Sequence, residues 1–309
     1  MDKFNNLFNV KEFNNIGLTG LTNELTSFCV DDIYKSSKRD ILILTNSLYE
    51  ANRLYQSISK KNNNTLLFPM DDFLTTEALA CSPDLLSIRL NTLNELLNDE
   101  KHIVITNLMG ILRYLPTKDK WKNNNIILKT GEEVDKNSLL RNLYSMGYKN
   151  ETIVTASGEL SSRGFILDIF PISSEQAIRI EFWGDQIDSI RYFNVDTQRS
   201  LETIKEIEIF PYSEFMNDKD IDIENKQKYL PLVLDKVSSI YDYLDNPITI
   251  IKDYNVISKS YTLLKEEIKE YDKSVEDKNK TNYMFDLEDI NIKDTIYLLY
   301  LYLLNQTYN

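Results

Sequence analysis

The sequence predicts an α/β protein, in which a parallel-sheet domain is interrupted by a smaller α+β domain. Three observations lead there. Over roughly the first 115 residues, short apolar runs alternate with segments whose apolar residues recur at helical spacing, the pattern of a parallel sheet. After Trp121 the texture changes to closely spaced strands and tight turns. Past Pro211 the chain turns helical and acidic again. The expected division is 1–120 for the first domain and 121–208 for the inserted one. Residues 209–309 form an acidic α/β segment that completes or flanks the first.

The elements follow in order. Ile41–Thr45 (ILILT) is an apolar, β-branched run. The next segment places Leu48, Ala51, Leu54, Tyr55 and Ile58 at helical spacing behind Ser47 as N-cap. TLLFP at 65–69 reads as a second strand. The helix after it has Ser82 as cap and Pro83 at its first position. HIVITNL at 102–108 is a third strand, and MGILRYLP a short helix that Pro116 ends. Residues 123–148 give a strand, a loop and a helix ending near Gly147. From Ile153 to Phe193 the signals are mostly strands. ITIIKDY at 248–254 is another strand, followed by a helix around 256–271 and a charged linker at 272–282. The last residues, DTIYLLYLYLLNQTYN, are apolar and stop abruptly. They suit either a truncated chain or a core element that docks back.

Composition narrows the chemistry. The chain has 309 residues, 42% hydrophobic and 27% charged, with a net charge of −13. Residues 212–309 hold 19 acidic groups, 12 lysines and no arginine. DNA binding draws on Lys and Arg that neutralise phosphates, so this balance argues against it. No apolar run reaches the roughly 18 residues of a membrane span, and the N-terminus lacks a signal-peptide core; a cytoplasmic protein is expected. Cys29 and Cys81 then read as buried thiols. The single histidine, His102, lies just before an apolar strand and reads as a strand-edge residue. No Cys/His cluster suggests zinc, no G-x-S-x-G motif appears, and no catalytic residue or metal site is expected.

One stretch approaches a phosphate-binding loop. Residues 17–24 read GLTGLTNE. Against G-x-x-x-x-G-K-[ST], Gly17 fits the first glycine and Gly20 falls inside the loop. Thr22, Asn23 and Glu24 replace the second glycine, the lysine and the hydroxyl residue. The lysine supplies charge to the β and γ phosphates and the hydroxyl ligates Mg²⁺. Asn23 lacks the charge and Glu24 sets a carboxylate near a polyanion. The stretch reads as a phosphate loop kept as a turn after its ligand was lost, and inactive.

The residues richest in information are 158–200. Strand alternation from Ile178 to Trp183 puts Ile178, Ile180 and Phe182 on a core face and Arg179, Glu181 and Trp183 on the other. Trp and Arg are the residues most enriched at binding hot spots. Gly184-Asp185 marks the hairpin turn. A three-residue loop, pairing Ile180 with Ile190 and Ile178 with Tyr192, keeps the core face coherent. A two-residue loop pairs Glu181 with Asp188, two like charges. Of nine arginines, Arg163, Arg179, Arg191 and Arg199 lie within 37 residues. An arginine cluster in a lysine-rich chain marks positions that need the planar guanidinium. Both an interface and ion pairing within the domain suit it.

GYKNETIVTASGELSSRGFILDIFP followed by IRIEFWGDQIDSIRYFNVDTQRS resembles the signature of the UvrB/Mfd family of excision-repair proteins. There a Gly-Glu precedes an Arg-Gly, an apolar strand containing an Asp follows, and the hairpin ends at Thr-Gln-Arg-Ser. Residues 16–116 resemble the first domain of that family, less sharply. UvrB keeps an intact phosphate loop, G-V-T-G-S-G-K-T, and a tyrosine-rich hairpin that probes damaged DNA. Here the loop is degenerate, and FPMDDFLTTEALACSPDLL leaves no room for the hairpin. Both departures match the Mfd, or coupling-factor, branch. The resemblance implies a degenerate P-loop or helicase-like domain carrying an inserted domain that docks onto the damage-recognition ATPase UvrA. By position, the contacts fall on Arg163, after a turn at Ser161-Ser162, on Arg179, and on Trp183, where the family usually has phenylalanine. Glu181 and Arg191 complete the expected partner face. In that branch the ATP- and Mg²⁺-dependent translocase lies beyond residue 309, as do the contacts to RNA polymerase and DNA, and a distant C-terminal domain masks the UvrA face. No cofactor is expected here. The alternative is a UvrB-like, ATP-dependent helicase subunit that binds nucleotide and damaged DNA.

Overall fold

A computed structural model describes residues 15–71, 82–216, 219, 227–274 and 282–299. Its first layer is a six-stranded, wholly parallel sheet. In chain order the strands are β1 (Ile16–Thr19), β2 (Ile41–Thr45), β3 (Thr65–Phe68) and β4 (Ile103–Asn107). The spatial order is β1, then two strands from the C-terminal part of the chain, then β2, β4 and β3. Every residue of β2 and β4 is buried. That is why they read as unbroken apolar runs: a parallel strand covered on both faces has no solvent side. Ile41 and Ile43 join one core cluster, with Cys29, Val30 and Ile33 of the helix Asn23–Ser37 and Ala51, Leu54 and Ile58 of the helix Leu48–Ile58. Leu42 and Leu44 point the other way. They meet Leu90 and Leu93 of the helix Pro83–Glu95, and Trp121.

Local chemistry sets the helix starts. Ser47 accepts from the Glu50 N–H at 3.3 Å, and Thr22 from Leu25 at the same distance. Ser82 holds the N-cap position, but its side chain makes no capping hydrogen bond; Pro83 opens that helix. Burial pushes the Cys29 thiol up to about 12. Cys81 lies outside the described residues. His102 is buried, which lowers its pKa, and its backbone N–H donates to Asp40 Oδ1 at 2.8 Å.

After β4 and the short helix Leu108–Ile111, Leu115 and Pro116 form β5, a strand where a helical ending is expected from sequence. The helix Lys118–Asn123 then leads into the inserted domain. Here β6 (Ile126–Lys129) precedes the helix Lys136–Ser145, then β7 (Lys149–Asn150), β8 (Glu159–Arg163), β9 (Ile166–Ile169), β10 (Ala177–Trp183), β11 (Gln186–Phe193) and β12 (Ser200–Ile204). The last six form one sheet in the order β12-β11-β10-β9-β8-β7, antiparallel except for β7 and β8. Leu139 and Leu143 of the helix cover one face, against Leu160, Leu167, Ile178 and Ile180. β13 (Glu206–Ile209) pairs with β6 and brings the chain back.

The chain then completes the first sheet. β14 (Val237–Ser238) pairs with β5. β15 (Ile248–Lys252) lies against β2. The helix Tyr254–Ser274 is longer than its apolar spacing suggests, since it takes in the start of the expected linker; residues 275–281 of that linker are outside the described residues. β16 (Thr295–Leu299) inserts between β15 and β1. The described part of the apolar C-terminal run is thus an interior strand.

The return from the inserted domain is fastened by a buried ion triad. Glu214, 2% exposed, accepts from Arg89 (Nε to Oε1 at 2.8 Å) and Arg113 (Nη2 to Oε2 at 2.6 Å). Burial favours the neutral acid, but Arg113 and Arg89 outweigh it and hold the carboxyl at about 2. Glu214→Gln removes the buried charge that the two guanidinium groups share. We expect a loss of about 3–5 kcal/mol in denaturant unfolding, the usual cost of breaking a buried pair from one side. Because the folded pKa lies below the ordinary 4.5, this stabilisation is complete above that pH and fades as pH falls towards 2. The variant should show a flatter stability profile across that window.

Candidate functional site

Two hairpins turn side by side at one end of the inserted sheet. In the first, Arg163 pairs with Ile166 across Gly164-Phe165. In the second, Trp183 pairs with Gln186 across Gly184-Asp185. Gly164 and Gly184 have φ of 53° and 62°, the left-handed geometry that short hairpin turns require and glycine accepts without strain. The Phe182 N–H donates to Phe165 C=O at 2.8 Å and stitches the tips together. Lys136, at the start of the domain's helix, donates to Gly164 C=O at 2.6 Å and braces the first turn from behind.

This corrects two sequence expectations. Ser161 and Ser162 lie within β8, so Arg163 ends a strand and the turn follows it. The second loop has two residues, yet Ile180 still pairs with Ile190 and Ile178 with Tyr192. A β-bulge reconciles the two. Phe182 opposes Ile187 and Glu181 opposes Ser189, so Asp188 is the extra residue. The bulge also keeps Asp188 from facing Glu181.

The face opposite the helix carries a polar row, one residue per strand: Ser161, Asp168, Arg179, Arg191 and Thr203. Asp168 is buried and takes a bidentate fork from Arg179, Nε to Oδ1 at 2.7 Å and Nη2 to Oδ2 at 2.8 Å. The hydrogen bonds to Asp168 push the Arg179 pKa up. Arg179 also donates to Gln198 Oε1 at 3.2 Å and stacks 4.7 Å from the Phe193 ring. It therefore ties the Thr-Gln-Arg-Ser loop to the sheet. Arg191 pairs with Glu181 and donates to Ser189 Oγ at 3.2 Å. Arg163 reaches Asp168 only at 3.5 Å and is 55% exposed, against 16% for Arg179.

Exposure rises toward the tips. Trp183 is 81% exposed and Phe165 71%. Between them lies an open groove of about 340 Å³, lined by Arg163, Phe165, Ile166, Glu181, Trp183 and Asp188. The structure thus gathers Arg163, Glu181 and Trp183 around one groove and sets Arg179 and Arg191 behind it. Arg199 is exposed on the adjoining loop. Two contributors, Phe165 and Lys136, escaped the sequence reading, and Asp168 enters it only as the carboxylate of the apolar strand ILDI.

The Gly-Glu of the signature has a structural reason. Gly158 has φ 86°, and a Cβ there would lie 2.3 Å from the Tyr212 ring. Glu159 accepts from the N–H groups of Thr155 and Ala156 at 2.7 and 2.9 Å, which lowers its pKa despite the opposing effect of burial.

Residues 17–24 lie in the other domain. Gly17–Thr19 are strand β1, not a turn, and only residues 20–22 connect it to the helix Asn23–Ser37. Gly20 takes φ 74°. Thr22 caps that helix, and Asn23 and Glu24 form its first turn. Among the described residues no group of three or more His, Cys, Asp or Glu side chains is placed to hold a metal ion. No helix there is long and apolar enough to cross a membrane.

The two arginines on Asp168 should differ in stability. Arg179→Ala removes the fork from a buried carboxylate and should cost about 2–4 kcal/mol. Arg163→Ala, exposed and at longer range, should cost under about 1 kcal/mol. Urea unfolding of the two variants checks the ordering.

Residues 126–215 match the family described as the UvrB interaction domain. The chain is 34% identical over 221 residues to a transcription-repair-coupling factor of Staphylococcus haemolyticus, which covers 71% of this chain and 19% of that protein. The Bacillus subtilis coupling factor is 33% identical over 201 residues, 64% of this chain and 17% of the relative. One from Staphylococcus aureus is 36% identical over 206 residues, 66% and 18% respectively. The chain spans less than a fifth of the length of these relatives. It thus carries a UvrB interaction domain at residues 126–215, within a sequence similar to transcription-repair-coupling factors over about two thirds of its length.

Proposed function

We propose that the inserted domain binds UvrA, and that this chain is the UvrA-recruiting module of a transcription-repair coupling factor acting at RNA polymerase stalled on damaged DNA. The observation that carries this reading is the pair of hairpin tips. They present Phe165 and Trp183 to solvent at a groove that Arg163 also lines, on a sheet whose other face is a packed core. Large exposed aromatics around an arginine are the composition of a binding hot spot, and a neighbouring exposed apolar pair marks a contact surface. Glu181 and Asp188 at the same groove suit a partner that offers basic as well as acidic groups.

No catalytic step is assigned to this chain. ATP and Mg²⁺, and the contacts to RNA polymerase and DNA, belong in this reading to parts of the parent protein outside it. So does a C-terminal domain that masks the UvrA face. A chain of net charge −13 is suited to a protein partner in the cytoplasm more than to DNA. The stretch at 17–24 is read as unable to hold nucleotide. A three-residue connection is too short to wrap phosphates, and Thr22 already satisfies an N–H of the helix start. The Glu24 carboxylate, held low by its own backbone N–H and by Thr22, occupies the positive end of that helix.

Trp183→Ala should weaken UvrA binding by about 2 kcal/mol, the range of a hot-spot truncation, in calorimetry with purified UvrA. Unchanged affinity would remove the tip from the interface. Titration with ATP and Mg²⁺ should give no heat in the micromolar range. A micromolar constant would favour the UvrB-like helicase subunit instead.

A further inference from the structure

Asp168 is claimed by two arginines, and they hold it unequally. Arg179 faces it directly across the β9–β10 pair and engages both carboxylate oxygens. Arg163 approaches Oδ2, the oxygen that also receives Arg179 Nη2 at 2.8 Å, and remains 3.5 Å away. Ser161, the cross-strand neighbour on the other side, donates elsewhere, to Thr152 C=O at 3.0 Å. Arg191, next along the row, is occupied by Glu181. The state of Arg163 is therefore set by how fully Arg179 satisfies Asp168. A bidentate fork leaves a distant guanidinium little to gain. A buried carboxylate stripped of that fork would draw in the nearest cation, and that cation is Arg163.

We propose that Arg179 is a positioning residue for the UvrA face: it saturates the buried Asp168 carboxylate and so keeps the exposed Arg163 available at the groove to an acidic group of the partner. This rests on the UvrA reading above. It gives the two arginines different work. Arg163 touches the partner, and Arg179, largely covered and fully engaged within the domain, does not.

The test measures affinity of the whole chain for purified UvrA by calorimetry, with thermal unfolding to verify each fold. Arg163→Ala tests the underlying reading: an unchanged constant would remove this site altogether. Given a loss of about thirtyfold there, Arg179→Ala should show a similar loss. The decisive variant is Arg179→Ala with Asp168→Asn. It removes the charge that would capture Arg163 and leaves no buried ion unpaired. Affinity should return to within about threefold of the parent chain, a scale set by interface changes away from hot spots. A folded double variant as weak as Arg179→Ala means that Arg179 contacts UvrA itself, and overturns the proposal. Asp168→Asn alone gives an independent reading should the double variant not fold. Retained or tighter binding supports release of Arg163, and a loss comparable to Arg163→Ala overturns it.

Discussion

The buried carboxylate of Glu214 fixes how the two parts of this chain meet. It sits where the inserted domain returns, and it is held by Arg89 from one helix and Arg113 from the segment after β4. The outward path is anchored on the same helix. Trp121, fully buried just before the inserted domain, donates its indole N–H to Asn94 Oδ1 at 3.0 Å. Asn94 and Arg89 both belong to the helix Pro83–Glu95. Exit and return are thus pinned to one rigid element through directional polar bonds. Such groups add little net stability, since desolvation offsets most of the attraction. What they supply here is geometry, because a guanidinium fork accepts its partner in few orientations.

That geometry matters because the first sheet cannot close until the chain has come back. β15 and β16 lie between β1 and β2, yet follow the inserted domain in sequence. A loosely attached insert would leave β2 and β1 unpaired on their facing edges. The inserted domain repeats the logic at smaller scale. Its helix seals one sheet face with aliphatic side chains, and the other is organised by Asp168. Moving along β10 from Arg179, the partner of Asp168, to Trp183, the side chains on this face pass from covered to open. The exposed groove residues are therefore mounted on a backbone already fixed by ladder bonds and by Lys136, which limits the ordering cost of binding.

How much of this the sequence discloses depends on whether a residue's role is local. β2, β4 and β15 are legible because burial on both faces leaves few polar positions. The core register of the β10–β11 hairpin is legible because Ile178, Ile180 and Ile190 must share a face. The turn length is not, since like-charge avoidance can be met by a longer loop or by a bulge, and the chain bulges at Asp188. The place of β16 is hidden as well. An apolar C-terminal run states that it needs covering, while its position between β1 and β15 is a property of the whole sheet. The candidate face divides the same way. Alternation puts Arg179 and Trp183 on one side of a strand. The carboxylate that separates their roles arrives from a neighbouring strand, and no spacing within β10 encodes it.

The stretch GLTGLTNE shows the same distinction from the opposite side. Letter by letter it resembles a nucleotide loop, but its backbone is a strand that runs through Thr19 and a short turn. Helix starts expose unpaired N–H groups that attract anions. Here Thr22 satisfies one of them and Glu24 brings its own negative charge to that end. The helix supplies the anion from its own sequence. The α/β domain thus satisfies polar groups from within its own chain, at Thr22, Asp40 and Glu214 alike, and the inserted domain does so at Asp168. Among the described residues, Phe165 and Trp183 are the most exposed of the large hydrophobics, and they line one groove with Arg163 at the two hairpin tips.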